Sequence, residues 1–242
     1  MVERIRAGLE ALGLPSPGGA ETLARYGELL IEKNKVMNLT AITEPEQVAD
    51  LHFLDCAALL TLGRGGAEGA VDFRGKSLID VGTGAGFPGL PLRILEPTLS
   101  LTLLDSLGKR VNWLGEVCAE LGLEGVNCVH ARAEEQALQK GWRDSFDIAT
   151  SRAVADLRLL CELCLPYVKV GGVFLAMKST ECGEELAAAE KAVRLLGGQV
   201  KTLYDYDIPG ARVTHRVVVI EKTAPTPKGY PRRWAKIQKS PL

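Results

Sequence analysis

The run Asp80-Val81-Gly82-Thr83-Gly84-Ala85-Gly86-Phe87-Pro88-Gly89 has residue types and spacing suited to holding a nucleoside-bearing ligand. Glycines let the backbone turn tightly and let a ligand approach it closely. Gly84-x-Gly86-x-x-Gly89 fits the dinucleotide fingerprint, and Asp105 follows at the end of the next apolar run, 23 residues beyond Gly82. An acid at that place can accept hydrogen bonds from both hydroxyls of an adenosine ribose. NAD and S-adenosylmethionine both carry that ribose. The pattern acid-x-Gly-x-Gly-x-Gly from Asp80, a third acid in Ala133-Glu134 and an expected terminal hairpin favour S-adenosylmethionine, which has no pyrophosphate to seat on a helix. A ligand-free glycine turn and a nicotinamide-dependent oxidoreductase stay as alternatives. The latter needs a second nucleotide half-site and a proton donor, and neither is evident.

Other reactive types are sparse. Cys161-Glu-Leu-Cys164 is a CxxC, but it lies within a helical apolar pattern, no second pair follows at zinc spacing, and the three His are isolated. The six Cys therefore read as reduced core thiols. No metal site and no Ser/His/Asp triad is expected. Charge is distributed unevenly. Net charge is -1, yet residues 225–242 carry Lys228, Arg232, Arg233, Lys236 and Lys239 and no acid, leaving the rest at -6. Tyr230 and Trp234 interleave with these cations, which suits phosphate contact and base stacking; a solubilising end is the plain alternative.

These residues need a scaffold. The 242 residues, 46% hydrophobic and 24% charged, suffice for one large core. No apolar stretch approaches membrane-spanning length, and the start Met1-Val2-Glu3-Arg4-Ile5-Arg6 does not read as a secretory signal; a cytoplasmic protein is expected. Residues 2–12, 20–36 and 45–62 read as amphipathic helices, with Pro15–Gly19 separating the first two and 63–76 a glycine-rich loop. Beyond them, strands over 77–81, 99–104, 126–129, 146–150 and 173–177 alternate with helices near 88–95, 107–121, 156–166 and 181–196. That alternation predicts a mostly parallel sheet covered on both faces. Strands over 199–206 and 212–221 predict a terminal antiparallel hairpin near Pro209-Gly210.

The blocks Asn38–Ile42, His52-Phe53-Leu54-Asp55, Asp80–Pro91, Leu104–Val111, Ser151–Ala155, Ala176-Met177-Lys178 and Tyr230-Pro231-Arg232-Arg233 occur in order from about Asn34 to the end. In these the chain resembles the RsmG family (glucose-inhibited division protein B), bacterial methyltransferases of guanine N7 in 16S ribosomal RNA. It differs from the usual pattern at Leu51, Cys56, Thr214–Val217 and Trp234–Gln238. The resemblance implies a class I (Rossmann-like) α/β methyltransferase with a seven-stranded sheet and an N-terminal helical extension. The expected division is 1–76 helical extension, 77–224 cofactor-binding core and 225–242 basic tail. It implies S-adenosylmethionine bound at Gly82, Phe87, Ala133, Glu134 and Arg152, with Ala133-Glu134 along the adenine and Asp105 near the ribose. The partner would be 16S rRNA, in a small-subunit particle, with the protein a monomer. A methyltransferase of another substrate and a cofactor-free ribosome-binding protein are the other readings.

Guanine N7 carries a free lone pair, so methyl transfer to it needs alignment and water exclusion rather than a general base. Arg152 and Lys178 follow strands at the cofactor end of the sheet and are positioning candidates. Arg152 suits the methionine carboxylate, RNA or a loop salt bridge; Lys178 suits phosphate, guanine O6 or solvent. His52 and Asp55 share a helix face at i, i+3 and would either cover the methyl pocket or pair with each other. Lys109-Arg110 opens a helix beside the site, suited to RNA phosphate or to a solvated face.

Overall fold

The computed structural model describes residues 1–14, 16–63, 70–152 and 155–242. Pro15, residues 64–69 of the expected loop, and Ala153-Val154 lie outside the described residues.

Seven strands form one sheet: β1 (Ser77–Val81), β2 (Ser100–Asp105), β3 (Asn127–His130), β4 (Phe146–Arg152), β5 (Val168–Ser179), β6 (Gly198–Asp207) and β7 (Thr214–Lys222). Their order is β3-β2-β1-β4-β5-β7-β6. The first five pair in parallel; β7 enters antiparallel between β5 and β6. Alternation in β1 sends Leu78 to one apolar core and Ile79 and Val81 to the other, as period-two side-chain geometry demands. Leu101 and Leu103 against Leu104, and Val217 and Val219 against Val218 and Ile220, divide the same way. This is why the central strands read as continuous apolar runs.

Helices α1 (Val2–Ala11), α2 (Gly19–Met37), α5 (Gly89–Leu95) and α6 (Gly108–Glu120) supply the first core with Ile5, Leu23, Tyr26, Leu30, Leu90, Leu92 and Leu114. Helices α8 (Leu157–Cys164) and α9 (Gly183–Leu195) supply the second with Leu157, Leu160, Ala189 and Val193. Cys161 and Cys164 are buried in α8, and burial raises both thiols far above the ordinary cysteine range. Among the described residues no helix is long and apolar enough to cross a membrane.

The structure corrects the sequence reading at three places. The single helix expected over 45–62 is instead α3 (Pro45–Val48), a π-helical stretch Ala49–Leu54, a turn of α-helix α4 (Asp55–Ala57) and a 3-10 stretch Ala58–Gly63. Widened turns of this kind cluster where side chains need a particular aim. Asp50 here accepts a two-pronged pair from Arg4 at 2.7 and 2.6 Å, while His52 and Asp55 are held at the carboxyl edge of the sheet. Second, a short helix α7 (Ala133–Gln136) was not foreseen. Third, the C-terminal segment is not a bare tail. It forms α10 (Trp234–Lys239), with Ile237 fully buried in the second core.

Candidate active site

The site is assembled at the carboxyl ends of β1 and β2, beside the point where strand order reverses between β1 and β4. Open α/β sheets bind ligands at such switch points. The glycine turn is braced from beneath. Buried Asp80 accepts from the Thr83 hydroxyl at 2.7 Å and the Gly89 amide at 2.9 Å, both through Oδ2. Its other oxygen, Oδ1, is buried without a partner among the described residues, and burial lifts this carboxyl to about 6. The Gly82 and Thr83 amides donate to the Leu104 carbonyl, tying the turn to β2.

Gly86 has no freedom to be anything else. Its φ is +96°, and a Cβ there would stand 2.4 Å from the Tyr26 hydroxyl and 2.8 Å from Leu90. Tyr26, fully buried in α2, donates that hydroxyl to the Ala85 carbonyl. Gly86→Ala combines left-handed strain with overpacking, and about 2–5 kcal/mol of stability is expected to be lost. Urea unfolding checks this; a loss under about 1 kcal/mol would show that Tyr26 swings aside.

A cavity of about 460 Å³ lies over the turn, lined by Gly82, Thr83, Gly84, Ala85, Phe87 and Asp105 and closed by Leu39, Thr40, His52, Arg110 and Arg152. Asp105 accepts from the Gly84 amide on Oδ2 and from the Leu107 amide on Oδ1, each at 2.9 Å. Each carboxylate oxygen keeps a second lone pair. A smaller cavity of about 250 Å³ shares Gly82, Asp105 and Ser106 with the first and runs past Ala133, Glu134, Leu160, Leu163 and Trp234. Every cofactor position expected from sequence except Asp80 and Gly86 lines one of these two spaces. Those two lie behind the turn and shape it.

A third cavity, about 560 Å³, adjoins the first and shares His52 and Arg152 with it; Asp55, Met177, Lys178, Val213 and His215 also line it. Between the two spaces sits a buried polar network. Asp55 accepts from the Tyr206 hydroxyl at 2.7 Å and from His215 Nδ1 at 2.8 Å on one oxygen, and from Arg152 at 3.2 Å on the other. Arg152 also donates to the Leu51 carbonyl and to His52 Nδ1 at 3.1 Å. With Nδ1 accepting, His52 Nε2–H donates to Thr40 at 2.9 Å. The His52 ring stacks on Phe87 at 4.5 Å, and the Arg152 guanidinium lies 4.7 Å above the same ring. Burial and Arg152 lower His52 to about 4, whereas the hydrogen bond to Asp55 raises His215 above its ordinary value.

His52 and Asp55 are thus bridged through Arg152 rather than joined as the local pair that was the alternative expectation. Lys178 is engaged, donating to the Ala155 carbonyl at 2.8 Å and to Glu185 at 2.5 Å. Lys109 and Arg110 separate: Lys109 is exposed, while Arg110 faces the first cavity, 3.8 Å from Asp105. In the C-terminal segment Lys228, Arg233 and Lys236 are exposed. Arg232 is committed to fully buried Glu162, with contacts of 2.6 to 3.1 Å, and its guanidinium is 5.9 Å from the half-buried Tyr230 ring. Sequence reasoning missed Thr40, Tyr206 and His215. Nothing local marks Tyr206, and His215 is marked only by lying in the divergent Thr214–Val217 stretch; the two reach Asp55 across 151 and 160 residues.

Comparison with known proteins agrees with this architecture. Residues 20–209 match the family described as rRNA small subunit methyltransferase G. Over 218 residues the chain is 46% identical to Ribosomal RNA small subunit methyltransferase G of Clostridium perfringens (strain 13 / Type A), covering 90% of this chain and 88% of that one. The like-named protein of Alkaliphilus oremlandii (strain OhILAs) is 47% identical over 220 residues, covering 91% and 89%. Among solved structures, an MtNAS mutant in complex with S-adenosylmethionine shares the fold at 17% identity and a TM-score of 0.55, covering 92% of this chain and 78% of that chain. With a match across most of its length and nearly half its residues identical to these relatives, the chain belongs to the rRNA small subunit methyltransferase G family.

Proposed function

We propose that this protein transfers the methyl group of S-adenosylmethionine to N7 of a guanine in 16S ribosomal RNA, with the first two cavities taking the cofactor and the third the base. The carrying observation is the wall of His52 and Arg152 shared by the first and third cavities. A methyl donor and its acceptor must touch in line with no side chain between them, so the two would meet at the edge of this shared wall, where the adjoining spaces join. The donor set fits the cofactor. Gly82 and Gly84 leave backbone bare at positive φ, Asp105 retains acceptor lone pairs for a ribose, and a Cβ at Gly84 would meet protein only at 4.0 Å, so the space beside it is free for ligand.

Bound S-adenosylmethionine supplies an electrophilic methyl on a sulfonium. The chain's own residues then have to orient, neutralise and exclude water. N7 is unprotonated at neutral pH, so no residue is asked to remove a proton. His52, held neutral, adds no positive charge beside a base that becomes cationic. Asp55 offsets the charge of Arg152 beside it. Such positioning contributes about 7–11 kcal/mol of barrier lowering when well oriented. Exposed Lys109, Lys228, Arg233 and Lys236 would engage phosphates. The guanine would lie in a loop or single strand, because the A-form major groove is too narrow for entry. The protein would act as a monomer on a small-subunit particle.

The test is transfer of tritiated methyl from S-adenosylmethionine to small ribosomal subunits, and to naked rRNA in parallel, both from cells lacking the protein. Label released as 7-methylguanine from the particle is the expected result. Label on neither RNA, with the cofactor measurably bound, would overturn the acceptor; label on naked rRNA alone would overturn the particle.

A further inference from the structure

The small cavity beyond Asp105 is lined by Trp234 together with Ala133, Glu134, Leu160 and Leu163, with Arg132 beside them. Its chemistry suits a purine: an indole and two leucines for the ring faces and a carboxylate for a polar edge. Glu134 is 5% exposed, and its one ion-pair neighbour among the described residues is Arg132 at 3.6 Å. An exocyclic amine would give that carboxylate a donor at short range.

The C-terminal segment is anchored far more firmly than a solvated cationic end requires. The Arg232 amide and guanidinium both donate to Glu162, which is fully buried in α8. Arg143 donates to the carbonyls of Thr226, Pro227 and Tyr230 at 2.6 to 2.9 Å. Ile237 is buried one helical turn beyond Trp234. Glu162 sits on the same helix as Leu160 and Leu163, so the ion pair ties the chain two residues before Trp234 to the helix that lines the cavity with it. We infer that Trp234 is a cofactor-binding residue, the aromatic wall of the adenine subsite, and that the Arg232–Glu162 pair is the clamp that holds it there. This rests on the cofactor reading above. Trp234 thus serves the cofactor, and the segment's outward cations remain for nucleic acid.

Base–aromatic contact is worth enough that its loss is felt in affinity. Calorimetric titration of the full chain with S-adenosylhomocysteine should show the Kd rising about tenfold in Trp234→Ala and staying within about threefold of wild type in Trp234→Phe. Indole emission gives a second readout: ligand should quench wild-type fluorescence, and most of that quenching should vanish in Trp234→Phe. An unchanged Kd in Trp234→Ala overturns the proposal, above all if its RNA affinity falls instead, as does quenching retained by Trp234→Phe. Should Trp234→Ala fail to fold, the Trp234→Phe quenching decides alone. If wild type itself binds neither S-adenosylhomocysteine nor S-adenosylmethionine, it is the cofactor reading that fails.

Discussion

Asp105→Ala is expected to weaken S-adenosylmethionine binding about 100-fold, or about 2.7 kcal/mol. Two losses combine. The ribose hydroxyls forfeit an ionised acceptor, an interaction worth about 1.5–3 kcal/mol. The Gly84 and Leu107 amides also lose the carboxylate that holds the glycine turn beside the start of α6. Those amides border a cavity open to water, so the fold itself should lose no more than about 1–2 kcal/mol. Asp105→Asn keeps one acceptor oxygen and should fall in between, near tenfold. Calorimetry on both variants measures this; equal affinity in wild type and Asp105→Ala would remove Asp105 from the ribose.

The largest effect on stability is expected at Asp55. Its side chain is 1% exposed and takes hydrogen bonds from Tyr206, His215 and Arg152. Asp55→Ala would leave a buried guanidinium and a buried phenol without their acceptor, and removal of one partner of a buried pair costs about 3–5 kcal/mol. Asp55→Asn should cost less, since an amide oxygen still accepts. Urea midpoints give both values, and a loss below about 1 kcal/mol for Asp55→Ala would show that the network re-forms around water.

The same network sets a pH dependence with two limbs. His215 is raised in the folded protein, so its contribution is full below about 6.5 and is lost as pH climbs through the raised value. His52 is depressed to about 4, so its contribution is present above about 6.5 and is lost as pH falls toward 4. His215→Gln should flatten the alkaline limb and His52→Gln the acid limb. Identical pH profiles for wild type and either variant would contradict the corresponding contact.

Much of this site is written in contiguous residues. Asp80 and the glycines precede a helix within ten positions, and Asp105 ends the next strand; strand–turn–helix–strand geometry alone brings them together. The mostly parallel sheet follows equally from short apolar runs alternating with helical ones. The broken helix over 45–63 was not legible, because its apolar spacing fits an unbroken helix and only the partners of Asp50, His52 and Asp55 widen it. The C-terminal segment was half legible. Its cations are plain, but nothing in the pattern separates Arg232, which is paired with buried Glu162, from Arg233, which is exposed.

Local sequence therefore carries the fold class, the glycine turn and the family, since periodicity, glycine sterics and ordered motifs are properties of neighbouring residues. The tertiary structure decided the rest. Asp55 meets His215 and Tyr206 only because β7 is inserted between β5 and β6, and Trp234 comes to line a cavity with Glu134 where the Arg232–Glu162 pair holds the chain's end on α8. Long-range pairing depends on strand order and on which charges are taken out of water together, and neither is encoded in local spacing.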